Sequence, residues 1–539
     1  MQIDGHIIDV EGRRIFPGIV SVAEGKIVSV TPAQEVTDRY IMPGFVDAHI
    51  HIESSMLTPH SFAKAALKHG TVATVSDPHE IANVCGMEGV RFMIDQAKQA
   101  GLKIFYGAPS CVPATSFECA GATIGPAQIE ELLSSPDIWY LSEMMNYPGV
   151  IAGDPDVLSK IDAAKKAGKP VDGHSPGLTG SDLKKYIQAG IITDHECISL
   201  PEAEEKLSLG MKILIREGSA ACNFEALHPL IENNVANLMF CSDDRHPDDL
   251  LEGHINLLVK RALHLGYDVF DVLQIACINP VRHYKLPVGT LRVGDPADFI
   301  VVANTQDWTI ISTFLDGKEL YGKGKIVLPE IPSSSINHFA TFKIRPEQLQ
   351  IKEKEGEVPV IKAIDGAIVT EKHRTRPKVL NGLFIADARQ DLLKICVVNR
   401  YHSNPVPALG WITGFGFSGA AIASTVAHDS HNIICVGDDD ELMAKAILML
   451  EKSKGGLSFV SSKESFLLPL PVAGLMTDQS AEEVAGAYTF ITALVKNVGC
   501  MLRAPFMTLS FMALLVIPKL KISDLGMFDA ESFTFCDQG

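Results

Sequence analysis

The feature that most constrains this chain is a series of eight β-rich runs between residues 45 and 244. They are FVDAHIHIE (45–53), TVATVSDPH (71–79), KIFYGAPS (103–110), IWYLSEMMN (138–146), KPVDGHSP (169–176), IITDHEC (191–197), KILIREGS (212–219) and LMFCSDD (238–244). Helix-compatible segments separate most of them, and two of these, SFAKAALKHG and PDVLSKIDAAKKAGK, end in basic residues and glycine as helix C-termini do. Near-continuous apolar runs alternating with helices make parallel sheets with crossover helices. Eight such units within about 200 residues predict an α/β fold, a compact (β/α)8 TIM barrel over residues 45–285.

The flanks read differently. Residues 1–44 hold short β-like pieces (HIIDV, RIFPGIVSV, KIVSV) punctuated by Gly and Pro, and GTLRVGDPADFIVVANTQDWTIISTFLDGKEL returns to that texture after the barrel. Residues 1–44 and 286–330 are therefore expected to pair into a small composite β-sandwich. Residues 331–539 mix β-like pieces, helices such as DELMAKAILMLEKSK and Gly-rich turns, which predicts a separate C-terminal α+β domain.

Composition narrows the partners. With 47 basic residues against 65 acidic ones, a net charge of −18 and no dense Lys/Arg run, neither nucleic acid nor an anionic membrane is an expected partner. The longest apolar stretch, 506–517, is too short to span a bilayer and reads as a buried helix or strand. The 11 cysteines are irregularly spaced and no apolar leader opens the chain, so reduced thiols in a cytoplasmic protein are expected.

Most of the eight runs turn polar at their C-terminal ends, which in a barrel converge on one mouth. His49 and His51 end the first, Glu143 the fourth and His174 the fifth; His195 lies on the sixth, Glu217 ends the seventh, and Asp243 and Asp244 the eighth. Residues i and i+2 of a strand point the same way, so His49 and His51 can grip one ion side by side. Glu143 is placed to bridge two ions, with His174 and His195 on the second. Imidazole and carboxylate together suit Zn, Fe or Mn rather than Mg or Ca. Two ions sharing a hydroxide would supply a nucleophile at neutral pH, and Asp243 would touch metal and take the proton. Any of these residues alone has a plain structural reading, as a core histidine or a local ion pair; eight converging side chains do not, since buried charge is costly unless paired or metal-bound.

Two motifs compete with this reading. His51 and Glu53 match the H-x-E of zinc nucleobase deaminases, but that site needs a P-C-x-x-C partner, which the sequence lacks. Gly414 to Gly419, GFGFSG, matches the dinucleotide fingerprint, but its approach NPVPALGWIT contains two prolines, so packing or turn glycines are expected instead.

PGFVDAHIH (43–51) resembles the first-strand signature of the amidohydrolase superfamily, and GTLRVGDPADFIVV resembles its flanking return. Much of that superfamily carries a metal-bridging lysine after strand 4; here Glu143 stands in its place. The fuller resemblance is to the bacterial adenine deaminase family, through HIHIESSMLTP, SDPHEIANV, SEMMNYPGV, DGHSPGL, IREGS, SDDRHP and VAHDSHNIICVG. It implies hydrolysis of adenine to hypoxanthine and ammonia (purine salvage) by a metal-activated hydroxide attacking C6. It further implies two divalent transition-metal ions, Mn or Fe before Zn, and a homo-oligomer, expected to be a dimer. The metal set it implies is His49, His51, Glu143, His174, His195 and Asp243, with Asp243 also the proton shuttle. Glu217 is the candidate for the purine ring nitrogens, against an ion pair with Arg216 or Lys212. His79, Glu80, Glu53 and Asp244 are expected on the substrate side or behind the ligands. HDSH (428–431) reads either as a further metal or active-site element or as an ordinary loop. The alternatives to this function are another amidohydrolase, such as an amino-sugar deacetylase or a dipeptidase, and a metal-free scaffold.

Overall fold

The structure is a computed structural model that describes residues 1–219 and 221–536. The chain divides into two compact units. The first comprises residues 1–78, 93–110 and 126–332; the second comprises 79–92, 111–125 and the chain from 333 onward.

Within the first unit, β1 (Gln2–Asp9), β2 (Arg14–Ala23), β3 (Lys26–Pro32) and β4 (Tyr40–Pro43) precede the barrel strands. These are β5 (Phe45–Ile50), β6 (Thr71–Ser76), β7 (Lys103–Ala108), β8 (Ile138–Met144), β9 (Val171–Gly173), β10 (Thr193–Asp194), β11 (Lys212–Arg216) and β12 (Leu238–Cys241). All eight expected runs thus contain a strand. His49 and Glu143 lie within the last residues of β5 and β8, while His51, His174, His195, Glu217, Asp243 and Asp244 lie in the segments that follow their strands.

β5 to β9 pair in parallel in sequence order, as do β10 to β12. The Ile192 amide donates to the Val171 carbonyl (3.2 Å) and links β9 to β10. The Asp243 amide donates to the His49 carbonyl (2.9 Å) and the His51 amide to the Asp243 carbonyl (3.3 Å), which brings the end of β12 against the end of β5. The result is the curled parallel sheet of a barrel. Every residue of β5 and β6 is buried, because both faces of such a strand are covered, and this is why these runs show no polar alternation.

Two glycines in the resemblance motifs have a packing reason. A Cβ on Gly44 would lie 2.2 Å from Val72 Cγ1, and one on Gly173 would lie 2.3 Å from the Thr193 carbonyl oxygen. Neither strand pair could approach as it does with any larger residue.

β13 (Phe299–Val302), β14 (Ile310–Leu315), β15 (Lys318–Gly322) and β16 (Lys325–Ile326) follow the barrel. The two flanking segments pair in one eight-stranded sheet in the order β16-β15-β14-β13-β4-β1-β2-β3. β13 runs antiparallel to β4, with Phe299 opposite Pro43. Ile7, Val20, Ile41, Phe299 and Phe314 form its core, with the last two rings stacked at 4.6 Å.

The second unit has its own eight-stranded sheet, which includes Leu393–Val398, Ala420–Ser424, Ile433–Gly437 and Gly456–Ser461. The helix Asp440–Ser453 buries Met443, Ile447 and Leu450 with Cys396, Ala423, Cys435 and Val460 of that sheet. The Asp439 side chain caps its start by accepting from the Glu441 and Leu442 amides. A second helix, Ala481–Asn497, begins at a Ser480/Glu483 capping box. The apolar stretch from 506 starts within the buried helix Pro505–Phe511, and no helix among the described residues is long and apolar enough to cross a membrane.

GFGFSG is not a nucleotide loop, although one sequence argument against it needs correcting. The strand Ala408–Thr413 does run straight into Gly414; the prolines lie just before it. A strand, Ala420–Ser424, follows the glycines where a dinucleotide site needs a helix. The glycine amides are already occupied: Gly414 and Gly416 donate to Asp391, and Gly419 donates to Asp438 at 2.7 Å.

Candidate metal centre

The ends of five barrel strands bring His49, His51, Glu143, His174, His195 and Asp243 together, all nearly inaccessible to solvent. His49 Nε2 and His51 Nε2 lie 3.2 Å apart with their rings edge to face. His51 Nδ1 meets the Asp77 carbonyl at 3.1 Å; this contact fixes the ring and leaves Nε2 for the centre. Glu143 reaches both sides. Its Oε1 is 3.2 Å from His51 Nε2 and 3.8 Å from His49 Nε2, while its Oε2 is 2.7 Å from His174 Nδ1 and 3.2 Å from His195 Nε2. Asp243 Oδ1 lies 3.2 Å from His51 Nε2 and 3.5 Å from His49 Nε2. The rings of His49 and His195 stack at 4.1 Å across the group.

Asp243 is reached by an uncommon backbone. Its φ of 54° is left-handed, a region that Asp tolerates better than most residues but that still costs free energy. Arg216 Nη1 holds its other oxygen, Oδ2, at 2.6 Å. The same guanidinium pairs with both oxygens of Glu196, whose Oε1 lies 3.4 Å from His195 Nε2 and 3.6 Å from His174 Nδ1.

Burial pushes both key carboxyls upward, but their partners win. Arg216, with His49 and His51, holds Asp243 well below the usual carboxylate range. The surrounding histidines, His174 foremost, do the same for Glu143. Burial lowers His195, yet Glu143, Asp243 and Glu196 together lift it to about 9. Burial and the neighbouring His195 lower His49.

This donor set fits transition metal. Ligand atoms of His49, His195 and Asp243 all lie within 4.8 Å of one another, as do those of Glu143, His174 and His195. Such separations suit atoms each about 2.1 Å from a shared ion. Four imidazoles and three carboxylates, counting Glu196, converge here, a density of buried charge that calls for cations.

The remaining expected residues fall in several places. Asp244 Oδ1 accepts from the Ser54 hydroxyl at 2.5 Å, and its carboxylate comes within 4.8 Å of the His51 and Asp243 ligand atoms. Glu53 is buried in the 3₁₀ turn Ile52–Ser55 directly after β5. Glu217 requires a correction. Its partner is neither Arg216 nor Lys212 but Arg261, at 2.8 Å from Oε2, while Oε1 accepts from the Phe224 amide at 3.2 Å. Adjacent residues on a strand face opposite ways, so Arg216 points to the centre and Glu217 does not share its partner. His79 and Glu80 belong to the second unit. There Glu80 Oε1 contacts His428 Nδ1 at 2.7 Å and Oε2 contacts His431 Nε2, and all three residues are buried. The Ala427 amide donates to His431 Nδ1 (3.2 Å), so the proton of that neutral ring sits on Nε2 and faces Glu80. The HDSH element thus packs both its histidines against a buried carboxylate, and ligand atoms of Glu80, His428 and His431 lie within 4.8 Å of one another, as a metal or an ordinary loop would each allow.

Sequence reasoning missed Glu196 and Arg216. Glu196 follows a candidate ligand directly, past the end of β10, so strand alternation gives it no signal, and Arg216 was legible only as a neighbour of Glu217.

Residues 40–320 match the amidohydrolase family model, so barrel and site together define a member of that class of hydrolases. Residues 367–534 match the model of the adenine deaminase C-terminal domain. The chain is 49% identical over 538 residues to the adenine deaminase of Salinibacter ruber, covering 100% of this chain and 98% of that one. It is 52% identical over 538 residues to that of a Sulfurovum species (100% and 99% covered), and 48% identical over 546 residues to that of Methanosarcina mazei (99% and 98%). The chain belongs to the adenine deaminase family.

Proposed function

We propose that this chain hydrolyses the exocyclic C6–N bond of adenine, giving hypoxanthine and ammonia, on two divalent transition-metal ions. The observation that carries the metal reading is Glu143, one oxygen of which faces His49 and His51 while the other faces His174 and His195. Near 50% identity along the whole length to proteins named adenine deaminase supports the substrate. Mn or Fe is the metal proposed first, with Zn also compatible with these ligands. Bound there, the ions supply Lewis acidity that lets water react at neutral pH.

The protein's own groups do the rest. His49 and His51 would hold one ion and His174 and His195 the other, with Glu143 offering one oxygen to each pair. Asp243, ionised and aimed by Arg216, takes the proton of the attacking water at Oδ1 and delivers it to the departing amine. Glu196, held by Arg216 beside His195, is the carboxylate at hand to accept a hydrogen bond from an N–H of the purine. Glu217 then serves as an ion pair with Arg261. Glu53 and Asp244 support the first histidine pair from behind. The proposal includes three domains (1–44 with 286–330, 45–285 and 331–539), a cytoplasmic location on the cysteine pattern, and a dimer on family resemblance.

The test is ammonia release from adenine by Mn- or Fe-loaded protein, run beside adenosine, guanine, N-acetylated amino sugars and isoaspartyl dipeptides. Turnover of adenine is expected. Its absence, with turnover of an acetylated sugar or a dipeptide, would transfer the chain to another amidohydrolase activity.

A further inference from the structure

We infer that Asp47 is a positioning residue for the metal centre: it locks the seam between β5 and β12 and so sets where His49 and Asp243 converge, with His254 as its support. This rests on the reading that His49 and Asp243 hold metal.

The barrel closes weakly at this seam. Among the described residues, β5 and β12 share no ladder beyond a single bridge between Ile50 and Asp243. Asp243 itself sits in left-handed backbone, tied to β5 by that one bridge and no longer ladder. Asp47 supplies what is missing. Its Oδ1 accepts from the amide of His49 at 3.2 Å and from the amide of Ser242 at 3.1 Å, so one oxygen holds a ligand on β5 and the residue preceding a ligand after β12. Its Oδ2 takes the Ser242 hydroxyl and lies 2.7 Å from His254 Nε2. Asp47 and His254 are both fully buried. The other His254 nitrogen meets Thr71 Oγ1 at 2.7 Å at the start of β6, and its ring packs edge-on against Phe62. The carboxylate is thus clamped from a third element and cannot swing. Both strand ends are referred to one atom, and that atom is not itself among the groups facing the ion positions.

The experiment compares Mn²⁺ affinity, by competition with a chelating indicator, in the full-length wild type, Asp47→Ala, Asp47→Asn and His254→Gln, with thermal midpoints measured alongside. Asp47→Ala removes the acceptor shared by the two amides and should weaken Mn²⁺ binding by about 10- to 100-fold, the usual effect of losing a ligand's support. Asp47→Asn keeps one oxygen for both amides and should bind close to wild type, which is the rescue a positioning role requires. His254→Gln leaves Asp47 in place but unclamped and should fall between them. A purely structural role predicts a lower midpoint for Asp47→Ala with unchanged affinity in the folded protein, and that result overturns the inference. Should Asp47→Ala fail to fold, wild-type affinity in His254→Gln overturns it instead. A wild type that binds no Mn²⁺ would remove the metal-centre reading and this inference with it, whereas tight and equal binding by wild type and Asp47→Ala removes the inference alone.

Discussion

At the scale of single residues, the proposed centre gives Glu143 and Asp243 different parts. Glu143 offers two oxygens to two histidine pairs, so in that proposal it is a holding group. Asp243 has one oxygen toward His49 and His51 and one on Arg216, so it is held and can still exchange a proton. Two substitutions separate these roles. Glu143→Gln keeps the shape but weakens both halves of the bridge, and elemental analysis should find the metal content of the purified protein falling below that of wild type. Asp243→Asn should retain most of the metal and lose about 10²- to 10⁴-fold in kcat, the range for a general acid–base group. An Asp243→Asn variant with wild-type turnover would take that residue out of the mechanism.

At the scale of elements, the sequence was readable where a residue type and a period coincide. Eight buried parallel strands cannot alternate, so they stood out as apolar runs, and their polar C-terminal ends marked the mouth. Strand length was not readable: β9 has 3 residues and β10 has 2, because the HSP and HEC segments leave the sheet to carry His174 and His195. Nor was tertiary partnership. Nothing in SDPHEIANV says that residues 79–92 join the second unit, and nothing in IREGS says that its arginine reaches two carboxylates on other loops. The same holds for the support under β10. Lys206, on the helix Leu200–Ser208, is fully buried; its Nζ donates to Asp194 (3.1 Å), to Glu202 (2.8 Å) and to the Ser175 carbonyl (2.7 Å). Burial would raise Asp194, but Lys206 keeps it ionised. Lys206→Met should therefore destabilise the protein by about 3–5 kcal/mol in urea unfolding, the cost of leaving a buried charge without its partner. A loss under 1 kcal/mol, about what an exposed ion pair contributes, would show that this tie is dispensable.

At the scale of the whole molecule, the two units should answer to different variables. Every proposed metal ligand lies in the first unit, so binding stabilises that unit by mass action. Raising free Mn²⁺ to about 100 times its dissociation constant is worth about 2.7 kcal/mol, seen as a rise in thermal midpoint that a chelator reverses. The second unit answers to pH through Lys521. Its ammonium is fully buried, donating to the carbonyls of Ile368 (2.7 Å) and Phe511 (2.9 Å), and burial pushes it down from 10.5 to about 7. The folded pKa thus lies below the unfolded one. Between these values the unfolded chain carries a proton that the folded chain lacks, so each step up in pH favours the folded state. Stability should rise from about pH 7 toward pH 10, by at most about 1.4 kcal/mol per unit, and Lys521 should contribute no slope below pH 7, where both states are protonated. Lys521→Met abolishes this titration, so the stability of the variant minus that of wild type should shrink as pH rises across the window. Urea unfolding at pH 7, 8, 9 and 10 measures it; a difference that stays constant would mean that Lys521 keeps its ordinary pKa in the fold, with the two carbonyls holding the charge that burial opposes.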